Sequence, residues 1–256
     1  SNNGENVTTQ LTSNDNSVKK LNEILLSGTF KTPVYVGGAV GAMSNSELNT
    51  FEISGMKISA EDNAKFNNTI SFGGICGYAQ AGQQSINLCY TSNVDIDVAN
   101  GLSKLENESA IGGILGKFNE AITIIGGEAS GKISTNNVPE QGGMFVAGIV
   151  GYSTLNAKLE IENFVSVVGI NIKQMSNNLT ASGAYNLKVD ELNSSSATLN
   201  QLLVAGEIGA NVYGNASVYG FSNVNKLSGQ EYIYCLTTLK LYGPNVYETV
   251  VGGSKY

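Results

Sequence analysis

A short glycine signature recurs along this chain, and no other feature of the sequence restricts its fold so tightly. It reads Gly37-Gly38-Ala39-Val40-Gly41, Gly73-Gly74-Ile75-Cys76-Gly77 and Gly112-Gly113-Ile114-Leu115-Gly116. Two looser copies follow, Ala147-Gly148-Ile149-Val150-Gly151 and Ala205-Gly206-Glu207-Ile208-Gly209, and Val251-Gly252-Gly253 opens a sixth. Counted on the final glycine of the five full copies, the spacings are 36, 39, 35 and 58 residues, the range of solenoid repeats. A residue without Cβ permits sharp bends between flat sheets and close stacking of successive turns.

After each signature comes an apolar run and then a stretch with period-two alternation, as in Val94-Asp95-Ile96-Asp97-Val98. The same order recurs as Phe51-Glu52-Ile53 then Met56-Lys57-Ile58, as Ile122-Thr123-Ile124 then Lys132-Ile133-Ser134, and as Leu159-Glu160-Ile161 then Gly169-Ile170-Asn171-Ile172. Each repeat therefore predicts about three short strands. Asn-Gly and Asp-Gly hairpin signals are scarce, which argues against the antiparallel alternatives, a propeller or a sandwich. The expected fold is all-β, a right-handed parallel β-helix (β-solenoid) of about five to six imperfect repeats over residues 34–256. One turn or two per repeat both fit the spacing.

Length differences fall in polar segments at residues 60–70, 99–110, 134–144 and 173–202, which read as loops leaving one corner of the rod. Asn suits such corners, and its amides can stack as ladders. Residues 1–33 form an N-terminal cap or partial repeat. Ser17 followed by Val18, Leu21, Ile24 and Leu25 predicts a short capping helix. The alternative is a strand of an earlier turn, since Leu21-Asn22-Glu23-Ile24-Leu25 resembles Leu199-Asn200-Gln201-Leu202-Leu203.

Composition narrows function. All 14 basic residues are Lys, so the chain lacks the His that most often serves as general base or metal ligand, and the Arg that grips phosphate and carboxylate in bidentate fashion. A formal charge of −7 opposes nucleic acid, and the lysines are scattered. The acids are dispersed as well, whereas glycan-cleaving β-helices need clustered acids with Lys, Arg or His. Three cysteines, Cys76, Cys89 and Cys235, leave one unpaired in any disulfide, fit no zinc spacing and read as small apolar residues. The apolar stretch Met144 to Tyr152 is too short for a membrane span. No signal peptide is evident, and a start at Ser1 suggests a processed or excised segment.

Gly73-Gly74-Ile75-Cys76-Gly77-Tyr78, followed by Ile86-Asn87-Leu88-Cys89-Tyr90 and Val94, resembles the GLUG motif of tandem-repeat proteins. Gly148-Ile149-Val150-Gly151-Tyr152 with Ile161-Glu162-Asn163-Phe164 is similar in spacing, with Phe164 where that family often has Cys. The resemblance covers about residues 34–227. It implies display in a large secreted or cell-surface protein with an adhesin-like role, and it implies no catalytic residue.

Three features are candidate sites. Asp95 and Asp97 share a strand face, where a solvated surface is the expectation over a Ca²⁺ site. Seven of the 12 tyrosines lie at or after Tyr213 and can stack sugars or pack strands; packing is the expectation, with Tyr232 and Tyr234 the candidate ligand contacts. Asn6, Asn67, Asn107, Asn178, Asn193 and Asn215 begin glycosylation sequons, near the roughly five that chance predicts; Asn178 and Asn193, in the longest loop, are further candidate contacts. No metal or cofactor is expected. The expected role is a non-catalytic extracellular structural or adhesive repeat segment, presenting loops such as 173–202 to a protein or glycan at a cell surface, or associating with itself. The rival reading is a glycan-binding or polysaccharide-cleaving β-helix.

Overall fold

The computed structural model describes residues 8–13, 21–98, 108–136, 143–175, 178–188, 190, 195–214, 217–224, 227–244 and 250–252. Every described element is a strand, and the strands stack in parallel as a β-solenoid of one turn per glycine repeat, the one antiparallel pair being Thr8–Ser13 on Leu21–Ser27. Seven strands form the glycine face, from Val34–Gly37 through Ile70–Gly73, Ser109–Gly112, Met144–Ala147, Leu179–Ser182 and Ser217–Tyr219 to Val250–Gly252. Val40–Met43, Cys76–Ala79, Leu115–Phe118 and Val150–Ser153 form a short second face.

The third face is broad. Its strands Gln83–Asp97, Ala121–Thr135 and Lys158–Met175 each run through what the sequence marks as two separate strands. A left-handed residue stands at the same crease in each of them. Thr50, Leu88, Gly126, Asn163, Gln201 and Tyr232 occupy equivalent positions on successive turns, with φ between 51° and 64° in every case. Stacking these corners keeps the face creased along the whole rod.

Alternation decides which side chains enter the column. Ile58, Ile96, Ile133, Ile170 and Ile208 pair in register along one arm of the broad face, and Ile86, Ile124, Ile161 and Leu199 along the other, all buried. Phe72, Ile111, Val146, Ala181 and Val218 answer from the glycine face. Each of these side chains larger than Ala181 contributes roughly 1.5–3 kcal/mol on full burial, and together they fill the interior.

The second glycine of the signature has a steric cause. A Cβ on Gly38, Gly74, Gly113, Gly148 or Gly183 would lie 2.1–2.4 Å from the carbonyl oxygen of Gly74, Gly113, Gly148, Gly183 or Gly220 on the next turn. The first glycine is held by its own turn, where a Cβ on Gly37, Gly73 or Gly112 would lie 2.0–2.3 Å from the carbonyl oxygen of Val40, Cys76 or Leu115, but its column continues into Ala147, Ser182 and Tyr219 on later turns.

That column corrects the fifth repeat. Gly183 and Gly220 continue the series, so the fifth signature is Ser182-Gly183-Ala184-Tyr185-Asn186, 35 residues after its predecessor, and the apparent spacing of 58 is a misregistration. Gly206 and Gly209 belong instead to the broad face, where Glu207–Val212 pairs with Lys158–Met175. Residues 173–202 are likewise not one loop. They contain Leu179–Ser182, the first part of Ser196–Val204, and fully buried Ala184, Tyr185 and Leu187.

The capping helix is also overturned. Leu21–Ser27 is a strand pairing in parallel with Lys57–Ala60, because Ile24 and Leu26 alternate onto the apolar column. It sits in register with Ile58 and not in the column of Leu199, so the matching pentapeptides occupy different arms. The described variable segment 61–69 lies at the corner between the broad face and the following strand of the glycine face, and Asn136 and Tyr213-Gly214 leave the broad face at the same corner.

Candidate functional site

Successive positions on a bent strand cannot all face inward, and the crease of the broad face shows the consequence. Before and after each residue of the inward column Cys89, Gly127, Phe164, Leu202, Ile233 stand two outward positions. One outward column runs Leu88, Gly126, Asn163, Gln201, Tyr232 and the other Tyr90, Glu128, Val165, Leu203, Tyr234. Over the last three turns these columns wall a groove of about 430 Å³, floored by Phe164 and Leu202. Asn163, Gln201 and Tyr232 form one wall; Val165, Leu203 and Tyr234 form the other.

Tyr232 and Tyr234 stand 65% and 59% exposed, and Tyr213 and Tyr242 are exposed too, so strand packing does not account for these tyrosines. Stacking instead places the rings of one strand beside amides 31 and 69 residues earlier. At the other end of the crease, Leu88 leans over Gly126, where an added Cβ would meet its Cδ2 at 2.8 Å. The lining of the groove extends no further in that direction than the turn of Asn163 to Val165. Among the described residues no charged one lines the groove. The carboxylate of Glu162, next to Asn163 in the chain, accepts from the Asn200 amide at 3.3 Å.

Asn178 is remote from this groove. It is exposed in left-handed geometry just before Leu179–Ser182, and its carbonyl accepts from the Met144 N–H at 2.7 Å. Asn193 lies outside the described residues. The Asn ladder is local: the Asn87 amide donates to Asn49 at 3.1 Å and Glu47 at 2.7 Å, and Ile125 interrupts the column on the next turn.

Asp95 and Asp97 share an outer face as the alternation predicts. Burial and the neighbouring Asp97 raise the Asp95 carboxyl above its usual range, while Lys57 and Lys132, on the turns either side, oppose the rise. Those two ammonium groups supply the countercharge. Among the described residues no group of three His, Cys, Asp or Glu is arranged to hold a metal.

A second cluster lies where the glycine and short faces meet. Glu108 accepts from Lys188 at 2.6 Å and from the Tyr152 hydroxyl at 3.2 Å, and the Lys117 ammonium donates to its backbone carbonyl at 3.4 Å. Burial lowers the Lys117 pKa, and burial with the Glu108 charge raises that of Tyr152. Phe145 stacks on Tyr152 at 3.7 Å. With a single carboxylate among its described members, the cluster makes ion pairs and has no second acid with which to divide acid and base roles.

All three cysteines are free thiols, with Cys76 and Cys89 in the apolar column and Cys235 half-buried. Among the described residues no helix is long and apolar enough to cross a membrane. No family model, curated protein or solved structure matches the chain.

The groove was only half legible in the sequence. Tyr232 and Tyr234 stand out by their i, i+2 spacing, but Asn163, Gln201 and Leu203 carry no local mark, because only the stacking of turns brings them to the rings.

Proposed function

We propose that this chain is a non-catalytic rod segment of an extracellular or cell-surface protein, serving as structure and as an adhesive surface. The observation that supports this reading is an interior filled turn after turn by buried apolar side chains, with the polar and irregular parts of each repeat relegated to the outside. A column so packed positions groups on its surface at fixed spacing and resists bending. The resemblance to GLUG repeats points the same way.

Polar segments entering at one corner give the rod a decorated edge, and loops on rigid scaffolds commonly carry recognition. The partners of this reading are proteins or glycans at a cell surface, or further copies of the rod.

Protease treatment of intact native cells tests the location. Loss of the chain from the outside, while cytosolic markers persist, is the expected result; full protection would refute extracellular display. Incubation with pectic and host-type polysaccharides should yield no product, and measurable turnover would replace the scaffold reading with the enzymatic one.

A further inference from the structure

The tyrosine groove calls for a ligand on physical grounds. Rings that fold for stability's sake bury their faces; Tyr232 and Tyr234 instead leave more than half their surface in water beside half-buried Leu203 and Val165. The result is a mostly apolar concavity with a few polar groups, of a size typical of small-molecule sites.

Its chemistry selects a class of occupant. Flat phenol faces match the C–H faces of a pyranose ring. The Asn163 and Gln201 side chains, each carrying a donor and an acceptor, match vicinal hydroxyls. Both amides sit on left-handed backbone, φ 54° and 51°, and the corners above and below them hold that geometry in register. Among the described residues no lysine lines the groove, the chain has no Arg or His, and Glu162 stands adjacent in a protein of net charge −7. A sialylated or uronate-containing sugar would meet repulsion without a counterion, whereas a neutral one would not.

Walls and floor repeat once per turn, at roughly the 4.8 Å spacing of stacked strands, so the groove runs along the rod and suits consecutive residues of a chain. We propose that this groove binds neutral pyranose units of an oligosaccharide, stacked on Tyr232 and Tyr234 and hydrogen-bonded by Asn163 and Gln201. This deepens the adhesive reading by naming its ligand class, but it does not depend on where the protein resides.

The test uses the full chain on an array carrying neutral gluco-, manno- and galacto-oligosaccharides beside sialylated and uronate-containing ones. The strongest neutral ligand is then titrated against tyrosine emission, which no tryptophan obscures. Binding to neutral glycans alone is expected. Tyr234→Ala and Tyr232→Ala should each weaken it at least tenfold and Gln201→Ala severalfold, whereas Tyr234→Phe should stay within threefold. Tyr90→Ala, at the position equivalent to Tyr234 four turns earlier, is the control and should change nothing.

Absence of neutral-glycan binding overturns the proposal, as does a preference for acidic sugars, or equal losses from Tyr90→Ala and Tyr234→Ala. Each variant's urea midpoint is compared with that of the parent; if Tyr234→Ala fails to fold, Gln201→Ala and Tyr232→Ala carry the test. A rod that binds no glycan yet is cleaved on intact cells would defeat this inference alone.

Discussion

At Gly113 one added methyl group separates a steric role for glycine from a merely recurrent one. Its Cβ would lie 2.1 Å from the Gly148 oxygen, a backbone atom fixed by the next turn, so Gly113→Ala forces the turns apart. A loss of about 3 kcal/mol or more in urea unfolding is expected. Gly209 closes a pentapeptide of similar spelling, but a Cβ there meets nothing nearer than 3.9 Å. Gly209→Ala should therefore change stability by less than about 0.5 kcal/mol; comparable losses at both sites would contradict the register described above. Cys76 reports burial by a different route. Its thiol is pushed from 9.0 up to about 12 by desolvation, so the folded state holds this proton more tightly than the unfolded one. The stability this contributes is complete below pH 9 and drains away as pH climbs toward about 12. Between pH 8.5 and 11 the cysteine accounts for a loss of roughly 2–3 kcal/mol. Cys76→Ala should remove that part of the alkaline slope, and an unchanged slope would place the thiol in water.

For the strands, the decisive devices are the ones that substitute for glycine. Where the earlier turns have Gly77, Gly116 and Gly151, the fifth turn has Asn186. It is fully buried, donates to the Val146 and Gly151 carbonyls at 3.1 Å each, and accepts from the Ser182 hydroxyl. Asn186→Ala would leave one buried hydroxyl without its acceptor and two carbonyls without this donor. The expected cost is about 2–4 kcal/mol, measured by chemical denaturation. The crease carries the opposite liability. Thr50 is β-branched yet holds φ 58°, a conformation that costs such a residue roughly 1–2 kcal/mol, while Asn163 in the same column pays less. Thr50→Asn should raise the thermal midpoint by a few degrees, and a lower midpoint would argue against the left-handed corner there.

Across the whole molecule, each turn touches only its neighbours, so stability is close to a sum of turn and interface terms. The middle turns are covered on both sides. Ile233, Cys235, Leu239 and Leu241, toward the C-terminal end, are only partly buried although they continue the apolar column. Native-state amide exchange should accordingly be slowest for Ile86 to Ile96, Ile122 to Ile133 and Leu159 to Ile172, and faster for Thr238–Tyr242. Uniform protection from end to end would mean that the rod unfolds as one cooperative unit.

The sequence by itself determined the parallel stacked architecture, its period, its apolar interior and the glycine at each turn-on-turn contact as far as Gly148. All of these are short-range properties, repeated often enough to be read from residue types and spacing. Only the tertiary structure decided the register beyond Gly148, because Ser182-Gly183-Ala184-Tyr185-Asn186 fills the same place with different chemistry, while Ala205 to Gly209 imitates the spelling elsewhere. It likewise decided the segment 21–27, where one face of a helix and one column of a solenoid ask for the same leucines and isoleucines. The groove belongs to the structure as well. Residues 163, 201 and 232 become neighbours through cross-turn hydrogen bonding, and a linear sequence holds no record of which residue lands above which.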